Sequence, residues 1–213
     1  MSKINELISK LCPQGVKFEP LWKITTWDKR FNAVDNYKQP KVRKYKYFLA
    51  GDLKPLIRED GDIKLLTTNL SDIWTSEDLA GDFISEGEIV GIPWGGNVVI
   101  HYYKGRFITA DNRIAIVNNV DELSTKFLYY FLLSQIDLIE TFYKGAGIKH
   151  PKMSRVLDLS IPIPPIQIQN RIVEVLDNFT ELEAELEAEL EARKKQYIYY
   201  RNKLLNFKEL KLP

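Results

Sequence analysis

A run of three identical tetrapeptides near the carboxyl end constrains this chain more than any other feature. Glu-Leu-Glu-Ala occurs three times in succession over residues 181–192, and neither proline nor glycine occurs from Ile166 to Asn206. Because alanine, leucine and glutamate are strong helix formers, this stretch is predicted to be helical. Thr180 and Glu183 have the spacing of a Thr-x-x-Glu capping box, which predicts a helix start at Thr180.

The predicted helix from Thr180 to Phe207 would be a rod of about 42 Å, at about 1.5 Å per residue. Its apolar residues form one narrow stripe: Leu182, Leu186, Leu190, Tyr197, Tyr200, Leu204 and Phe207. We call these residues the seam. Their spacing is heptad-like from Leu190 onward and contains a four-residue stutter before it. The seam therefore predicts a partner helix, as in a dimer; the alternative is a solvated linker helix.

The residues before the rod predict where a domain ends. Ser160–Pro165 has prolines at alternate positions, which indicates an edge strand with a rigid exit. A first helix is predicted over Ile166–Asp177, with a break at Asn178-Phe179 before the rod. We therefore predict a domain of residues 1–165 and a helical segment of residues 166–213.

Cysteine content and hydropathy narrow the class of protein. Cys12 is the one cysteine, which excludes an internal disulfide framework and a cysteine-rich zinc site. No signal peptide is recognisable, and no apolar run approaches the roughly 18 residues that a membrane span needs. We expect a cytoplasmic protein with no membrane contact.

Charge is strongly segregated although the net formal charge is only +1. Residues 1–50 carry 11 basic and 4 acidic side chains, whereas residues 51–100 carry 3 and 10. Within residues 27–48 the cations alternate with aromatic rings, a pattern typical of phosphate and base contact. The candidate DNA-binding residues here are Lys29, Arg30, Lys38, Lys41, Arg43, Lys44 and Lys46. The alternative is a solvated loop that leads into a strand.

Residues 62–118 consist of short apolar runs separated by turn residues, which predicts β-structure. The predicted strands are Ile63–Thr67, Glu88–Pro93, Val98–Tyr103, Arg106–Ala110 and Arg113–Val117. Lys104-Gly105 is predicted to be a tight hairpin turn. In the Trp94–Asn97 turn, Gly95 and Asn97 are candidate DNA contacts, unless the glycines only serve the turn. For Asp111 and Arg113 we favour a structural ion network over a catalytic one.

A second helix and a glycine-rich basic loop follow. Ser124 is a plausible N-cap for a helix that continues to Tyr143 and packs on the sheet. Residues 144–152 then combine two glycines with Lys144, Lys149 and Lys152, all candidate phosphate contacts. A plain connector is the alternative, since a lone Gly-x-Gly is weak evidence for a nucleotide site.

Several of these segments together resemble the specificity subunits of type I restriction-modification systems. The resemblance runs from about residue 4 to residue 207 and is most specific in the carboxyl-terminal run. It rests on Cys-Pro-Gln-Gly-Val-Lys-Phe at 12–18, FLYYFLLS at 127–134, Gly-Ala-Gly-Ile at 145–148, IPIPP at 161–165, Gln169, Ile172, Val173, Leu176 and ELEAELEARKKQY from 185 on. The family implies an α+β fold: a mixed α/β target recognition domain followed by a long coiled-coil helix. A full-length member has two such domains and two helices, whereas this chain has one of each.

The resemblance also implies a function. We expect a non-enzymatic subunit without cofactor, metal or catalytic residues, which homodimerises through its helix and reads a bipartite, inverted-repeat site in double-stranded DNA. The modification (methyltransferase) subunit and the restriction (motor-nuclease) subunit would be its partners. The chain contains no Asn-Pro-Pro-Tyr-like methylase motif and no P-loop.

Two other classes of protein stay open at this point. A metal-dependent endonuclease would use the acidic side chains of residues 52–88: Asp52, Glu59, Asp60, Asp62, Asp82, Glu86 and Glu88. These residues lie around glycines, so turns explain them more simply. A coiled-coil regulatory protein that does not bind DNA, such as a DNA mimic, is the second alternative, and the basic block argues against it.

Overall fold

The structure, a computed structural model, describes residues 3–207. It is an α+β fold with a mixed sheet and a long carboxyl-terminal helix, as predicted. The helices are α1 (Lys3–Leu11), α2 (Leu21–Ile24), α3 (Glu77–Ala80), α4 (Thr125–Ser134), α5 (Ile136–Glu140), α6 (Met153–Leu157) and α7 (Ile166–Leu204). The strands are β1 (Lys17–Pro20), β2 (Thr25–Trp27), β3 (Ile63–Leu66), β4 (Trp74–Thr75), β5 (Ser85–Pro93), β6 (His101–Thr109), β7 (Asn112–Val117), β8 (Tyr143–Lys144), β9 (His150–Pro151) and β10 (Ser160–Ile163).

The chain divides into two compact units, Met1–Ile172 and Val173–Pro213. The first unit contains a six-stranded sheet in the order β2-β7-β5-β6-β3-β4, in which β3 and β6 are parallel and the other neighbours antiparallel. Leu65 and Ile108 belong to one apolar cluster, and their chain neighbours Leu66 and Phe107 belong to another. Because successive side chains alternate between the two faces of a strand, the sheet is covered on both faces.

The predicted hairpin at Lys104-Gly105 is wrong, because β6 continues through these residues without a turn. Gly105 lies opposite Gly87 of β5 in the antiparallel register, and both have positive φ, 139° and 154°. Phe107 pairs near the start of β5 and Asn112 pairs with its last residue. The five residue steps from Phe107 to Asn112 reach at most about 18 Å. This is less than the length that the nine residues of β5 would have in a flat strand. The β5–β6 ribbon must therefore coil strongly, and the glycine pair permits this.

The predicted helix Ser124–Tyr143 is interrupted. Ser124 caps α4 as predicted, since its side chain accepts a hydrogen bond from the Phe127 amide at 3.3 Å. The helix ends at Ser134, and Gln135 separates it from the short α5. Leu128 and Leu132 of α4 are buried where the helix packs on β5 and β6.

β10 forms a separate two-stranded sheet with β1, in agreement with its predicted edge position. The helix that follows is held to the domain by Gln169, which is completely buried. Its side chain accepts from the Ser124 amide at 2.9 Å and donates to the carbonyls of Glu122 and Pro164 at 2.8 Å. These bonds satisfy every polar atom of the amide group, so the first turn of α7 is fixed on the domain.

The predicted break at Asn178-Phe179 is wrong, because α7 is one helix of 39 residues. Thr180 does not start a helix, since its hydroxyl donates to the Leu176 carbonyl at 3.0 Å, as threonine does inside helices. The rod is therefore about 58 Å long, at about 1.5 Å per residue. It ends at Leu204, so Phe207 lies beyond the helix, and residues 208–213 of the predicted segment lie outside the described residues.

Candidate nucleic-acid interface

Three segments that are distant in sequence meet at one end of the main sheet. Trp27 of β2 and Val90 of β5 both pair with Ala115 of β7, and both pairings are antiparallel. β2 and β5 are therefore parallel to each other, and their carboxyl ends lie at the same end of the sheet. The loop after β2 (residues 28–34) and the turn after β5 (residues 94–97) therefore start there. The third segment is the β8–β9 hairpin, residues 143–151, which hydrogen-bonds to that turn.

Trp94 lies at the centre of this meeting point. The Lys29 ammonium lies 4.8 Å from the centroid of its ring, and the His150 ring lies 5.3 Å from it. His150 Nδ1 donates to the Trp94 carbonyl at 2.7 Å, and the Gly96 amide donates to the Lys149 carbonyl at 3.0 Å. These contacts hold the three loops against one another.

Cations from the loop after β2, and Lys152 directly after the hairpin, face a common cleft. This cleft of about 440 Å³ is lined by Lys29, Arg30, Trp94 and Lys152, with Phe31 and Met153 among its apolar residues. Lys29 and Lys152 are exposed and have no carboxylate within ion-pair distance among residues 3–207. A set of unpaired cations around an aromatic ring can bind phosphates and contact sugars or bases. We call this cleft, with the three loops, the basic cleft.

The charge on Lys29 is easier to remove than that of an ordinary lysine. Partial burial lowers the pKa of its ammonium, and the nearby Arg113 guanidinium lowers it further, while Asp28 acts in the opposite direction. A phosphate at this position would favour the charged form again. The local electrostatics thus favour an anion beside Lys29.

The predicted Asp–Arg network lies directly beneath the basic cleft. Arg113 of β7 is 1% exposed, and its guanidinium donates to Asp28 Oδ2 at 2.8 Å and to Asp111. Asp28 also accepts from the Ile114 amide at 3.2 Å. Burial raises the pKa of the Asp28 carboxyl, and Arg113 acts in the opposite direction. Arg113 is buried and paired with Asp28, whose side chain is mostly buried, and the Asp111 side chain is about one-third exposed, so the network serves a structural role at the base of the loops.

Other cations of the basic block have different neighbours. Lys38 forms an ion pair with Asp158 at 2.6 Å and Lys46 one with Asp82 at 3.8 Å. Arg43 donates to the Glu86 carbonyl at 3.2 Å. Lys41, like Lys38, lines a second cleft of about 470 Å³ beside Trp22 and Tyr37, and Lys44 is exposed. These residues do not line the basic cleft, and their contact with DNA stays a prediction.

The remaining predicted contacts lie on the turn and the hairpin. Asn97 and Lys149 line a small cleft of about 210 Å³, and Lys144 lies opposite His150 in the hairpin. Gly95 has a packing role: a Cβ on it would lie 2.8 Å from Ile148 Cγ2 and 3.0 Å from His150 Cε1. A larger residue here would force the Ile148 and His150 side chains to move, since 2.8 Å is well inside van der Waals contact.

Trp94, Arg113 and His150 were not among the predicted DNA-contacting residues. Trp94 precedes two glycines and His150 lies in a basic loop, so both have a sequence context that marks a loop. Nothing in the sequence indicates that these loops adjoin, because the pairing of β2 with β7 joins residues about 90 positions apart.

Some of the acidic residues considered for a nuclease are paired with cations. Asp62 lies 3.6 Å from Arg106, and Glu88 lies 3.3 Å from Lys104. Among residues 3–207 no group of three or more His, Cys, Asp or Glu side chains is arranged to hold a metal ion. Within residues 3–207, no helix is both long enough and apolar enough to span a bilayer.

The seam residues of α7 are all exposed in the single chain. Leu182 and Tyr200 are each 49% exposed, and Leu204 is 69% exposed. Leu182, Leu186 and Leu190 also line a shallow apolar groove with Phe179. An exposed apolar stripe of this length on one helix is typical of a surface that binds another helix.

A sheet-based domain followed by a long helix with an exposed apolar seam is the architecture that the resemblance implies. The family model described as "Type I restriction modification DNA specificity domain" matches residues 41–192. The chain therefore belongs to this family, in agreement with the resemblance.

Individual relatives agree with this assignment. A putative type I restriction enzyme specificity subunit of Haemophilus influenzae is 32% identical over 92% of this chain and 47% of its own length. The EcoprrI specificity subunit of Escherichia coli is 30% identical over 98% of this chain and 54% of its own length. The type I S subunit of M. genitalium has a similar fold, with a TM-score of 0.60 and 20% identity over 90% of this chain and 46% of that one. The chain spans about half the length of these relatives. They are named specificity subunits, which agrees with the prediction of a non-enzymatic subunit.

Proposed function

We propose that this chain is a DNA specificity subunit that homodimerises through α7 and reads a bipartite, inverted-repeat site in double-stranded DNA. In this proposal residues 1–165 form the target recognition domain, and residues 166–213 hold two copies together and dock the modification subunit. The methyltransferase and motor-nuclease subunits then supply the chemistry at the site that the dimer has selected.

The observation that carries the DNA-binding part is the convergence of cations from two distant segments at one cleft around Trp94. Lys29, Arg30 and Lys152 come from sequence segments more than 100 residues apart, yet they line the same cleft around Trp94. Cations that bind phosphate backbones fix the protein on the duplex, while nearby polar groups reach base edges. The loops around the cleft carry side chains of both kinds.

The seam supports the dimer. Its leucines and tyrosines are about half exposed or more in one chain. Burial of such side chains stabilises a helix pair by about 25 cal/mol for each Å² of apolar surface. Two identical helices that pair antiparallel would place two identical recognition domains at opposite ends of the pair. Identical domains related by a two-fold axis read the two halves of an inverted repeat.

Two triple variants test the DNA contact, and each removes three positive charges. One replaces Lys29, Arg30 and Lys152 with alanine, and the other replaces Lys41, Arg43 and Lys44. The target is first identified by mapping methylated sites in the source genome, and affinities are then measured over a range of salt concentrations. Both variants should bind target and scrambled duplexes more weakly, with a salt slope that is shallower by up to about 0.9 per lost phosphate contact.

We expect the larger loss for the variant of the basic cleft. A larger loss for the 41–44 variant would move the interface to the cleft beside Trp22 and Tyr37. Wild-type protein that binds duplex DNA with no dependence on salt would contradict the proposed function itself.

A further inference from the structure

Arg113 is a charged side chain that is buried near the start of a strand of the main sheet. It lies on β7, between β2 and β5, and is 1% exposed. Arginine is almost never fully buried unless it is paired, and here the guanidinium has Asp28 on one side and Asp111 on the other. Arg113 therefore pairs with two carboxylates from two different loops.

Stability alone gives a poor account of this ion cluster. Replacement of a buried ion cluster by apolar residues of similar volume is often neutral or stabilising. The Arg113 Nε is buried and has no hydrogen-bond partner among the described residues, so the cluster is not even fully satisfied. A buried polar cluster of this kind is better suited to fixing one arrangement of the surrounding elements.

Each contact of the guanidinium leads to one loop of the basic cleft. Asp28 directly precedes Lys29. The backbone carbonyl of Asp111 accepts a hydrogen bond from the Trp94 amide at 2.9 Å. The guanidinium carbon of Arg113 lies 5.1 Å from the centroid of the Trp94 ring. The Trp94 carbonyl in turn accepts from His150 of the β8–β9 hairpin. One side chain thus connects the loop after β2, the turn after β5 and the hairpin.

We propose that Arg113 is a positioning residue for DNA recognition, which fixes the three loops relative to one another without touching DNA. This inference rests on the proposed function of the basic cleft. Phosphate contacts by long lysine side chains tolerate small displacements of a loop, whereas hydrogen bonds to base edges require fixed geometry. Loss of Arg113 should therefore reduce discrimination between DNA sequences more than total affinity for DNA.

Two variants and one control test the proposal. Arg113→Lys keeps the charge, but one ammonium cannot form the planar fork that bridges two carboxylates. A triple variant with Asp28→Asn, Asp111→Asn and Arg113→Met removes the whole ion cluster and leaves no unpaired buried charge. Arg106→Met is the matched control, because Arg106 also pairs with two carboxylates, those of Asp62 and Glu77, and does not line the basic cleft.

The measurement compares a duplex that contains the mapped target site with a duplex of the same composition in scrambled order. For both Arg113 variants we expect the ratio of the two affinities to fall about tenfold or more, the effect of losing one good base contact. The salt slope on the scrambled duplex should not change, and Arg106→Met should alter neither quantity. Near-ultraviolet circular dichroism verifies that each variant is folded.

A folded triple variant with the wild-type affinity ratio would overturn the inference. So would an equal loss of affinity for both duplexes, because that is the result expected of a purely structural residue. Wild-type protein without salt-dependent binding to either duplex would instead disprove the proposed function, which separates the two failures.

Discussion

His101 is a buried titratable residue outside the basic cleft. It lies at the start of β6 and is 5% exposed, and its Nε2 atom has no hydrogen-bond partner within residues 3–207. Burial lowers the pKa of the imidazole from 6.5 to about 4, and the positive charge of Lys64 contributes in the same direction. The folded protein therefore keeps His101 neutral at a pH where the unfolded chain protonates it.

This pKa predicts how the stability of the domain depends on pH. The contribution of neutral His101 is fully present above pH 6.5 and is lost as the pH falls toward 4. Wild-type protein should lose about 3 kcal/mol more free energy of unfolding between pH 7 and pH 4 than His101→Asn does. Urea unfolding of both proteins at several pH values measures this, and parallel curves for the two would contradict the assignment.

Sequence reasoning located part of the basic cleft at the residue scale. Lys29, Arg30 and Lys152 were found because cations in loops are visible as a local pattern. Trp94 and Arg113 were not identified as part of a DNA site, since their role depends on strand pairing over long sequence distances. For Arg113 in particular, the sequence predicts an ion network with Asp111 but not the contact with Asp28, which follows β2.

At the scale of elements, local rules succeeded where local contacts decide. The N-cap at Ser124 and the strands β3 and β7 were predicted within about one residue. Two of the failures, at Lys104-Gly105 and at Asn178-Phe179, arise where tertiary structure overrides a locally favourable signal. In the sequence, Gly105 resembles a turn residue, whereas in the structure it lies opposite Gly87 within paired strands. Thr180 resembles an N-cap, whereas in the structure it lies inside a helix.

The two candidate caps behave differently, which gives a direct test of the continuous helix. Ser124→Ala removes a real N-cap and should cost about 1 kcal/mol of stability. Thr180→Ala should cost nothing and should raise the helical signal slightly, because alanine is the better residue inside a helix. Thermal unfolding followed by circular dichroism at 222 nm compares the two. An equal loss of stability for both variants would restore the predicted break before Thr180.

The seam predicts the oligomeric state. Tyr197→Glu with Leu204→Glu places charges in the proposed helix contact, which costs several kcal/mol when they are unpaired. Analytical ultracentrifugation should show monomers with a folded recognition domain. Ile198→Glu with Tyr199→Glu is the matched control, because it changes one aliphatic and one aromatic residue away from the seam and should leave a dimer. Wild-type protein that is monomeric at micromolar concentration would contradict pairing through α7.

At the scale of the whole molecule, the three tetrapeptide repeats set the length of the proposed dimer. All of them lie within α7, and one repeat contributes about 6 Å of rise and about 40° of rotation beyond a full turn. Each recognition domain is joined to the first turns of its own helix, so in an antiparallel pair the helix length sets the distance between the two domains.

Deletion of one repeat should therefore shorten the spacer between the half-sites by about one or two base pairs, since base pairs stack about 3.4 Å apart. The half-site sequences should not change, because residues 1–165 are untouched. Methylome mapping of cells that express the deletion variant gives both quantities. An unchanged spacer, or altered half-sites, would leave α7 as a dimerisation element without a role in spacing.

The position of β2 at the edge of the sheet has a consequence for the order of folding. β5, β6 and β7 are consecutive in the chain and pair with short connections, whereas β2 joins β7 across about 90 residues. Because so long a loop must close, the pairing of β2 with β7 is slower than the pairing among β5, β6 and β7. In pulse-labelling hydrogen exchange we expect the amides of Thr25–Trp27 to gain protection after those of β5. Since Asp28 and Lys29 follow directly on β2, a chain that is still folding has most of its sheet before it has a basic cleft.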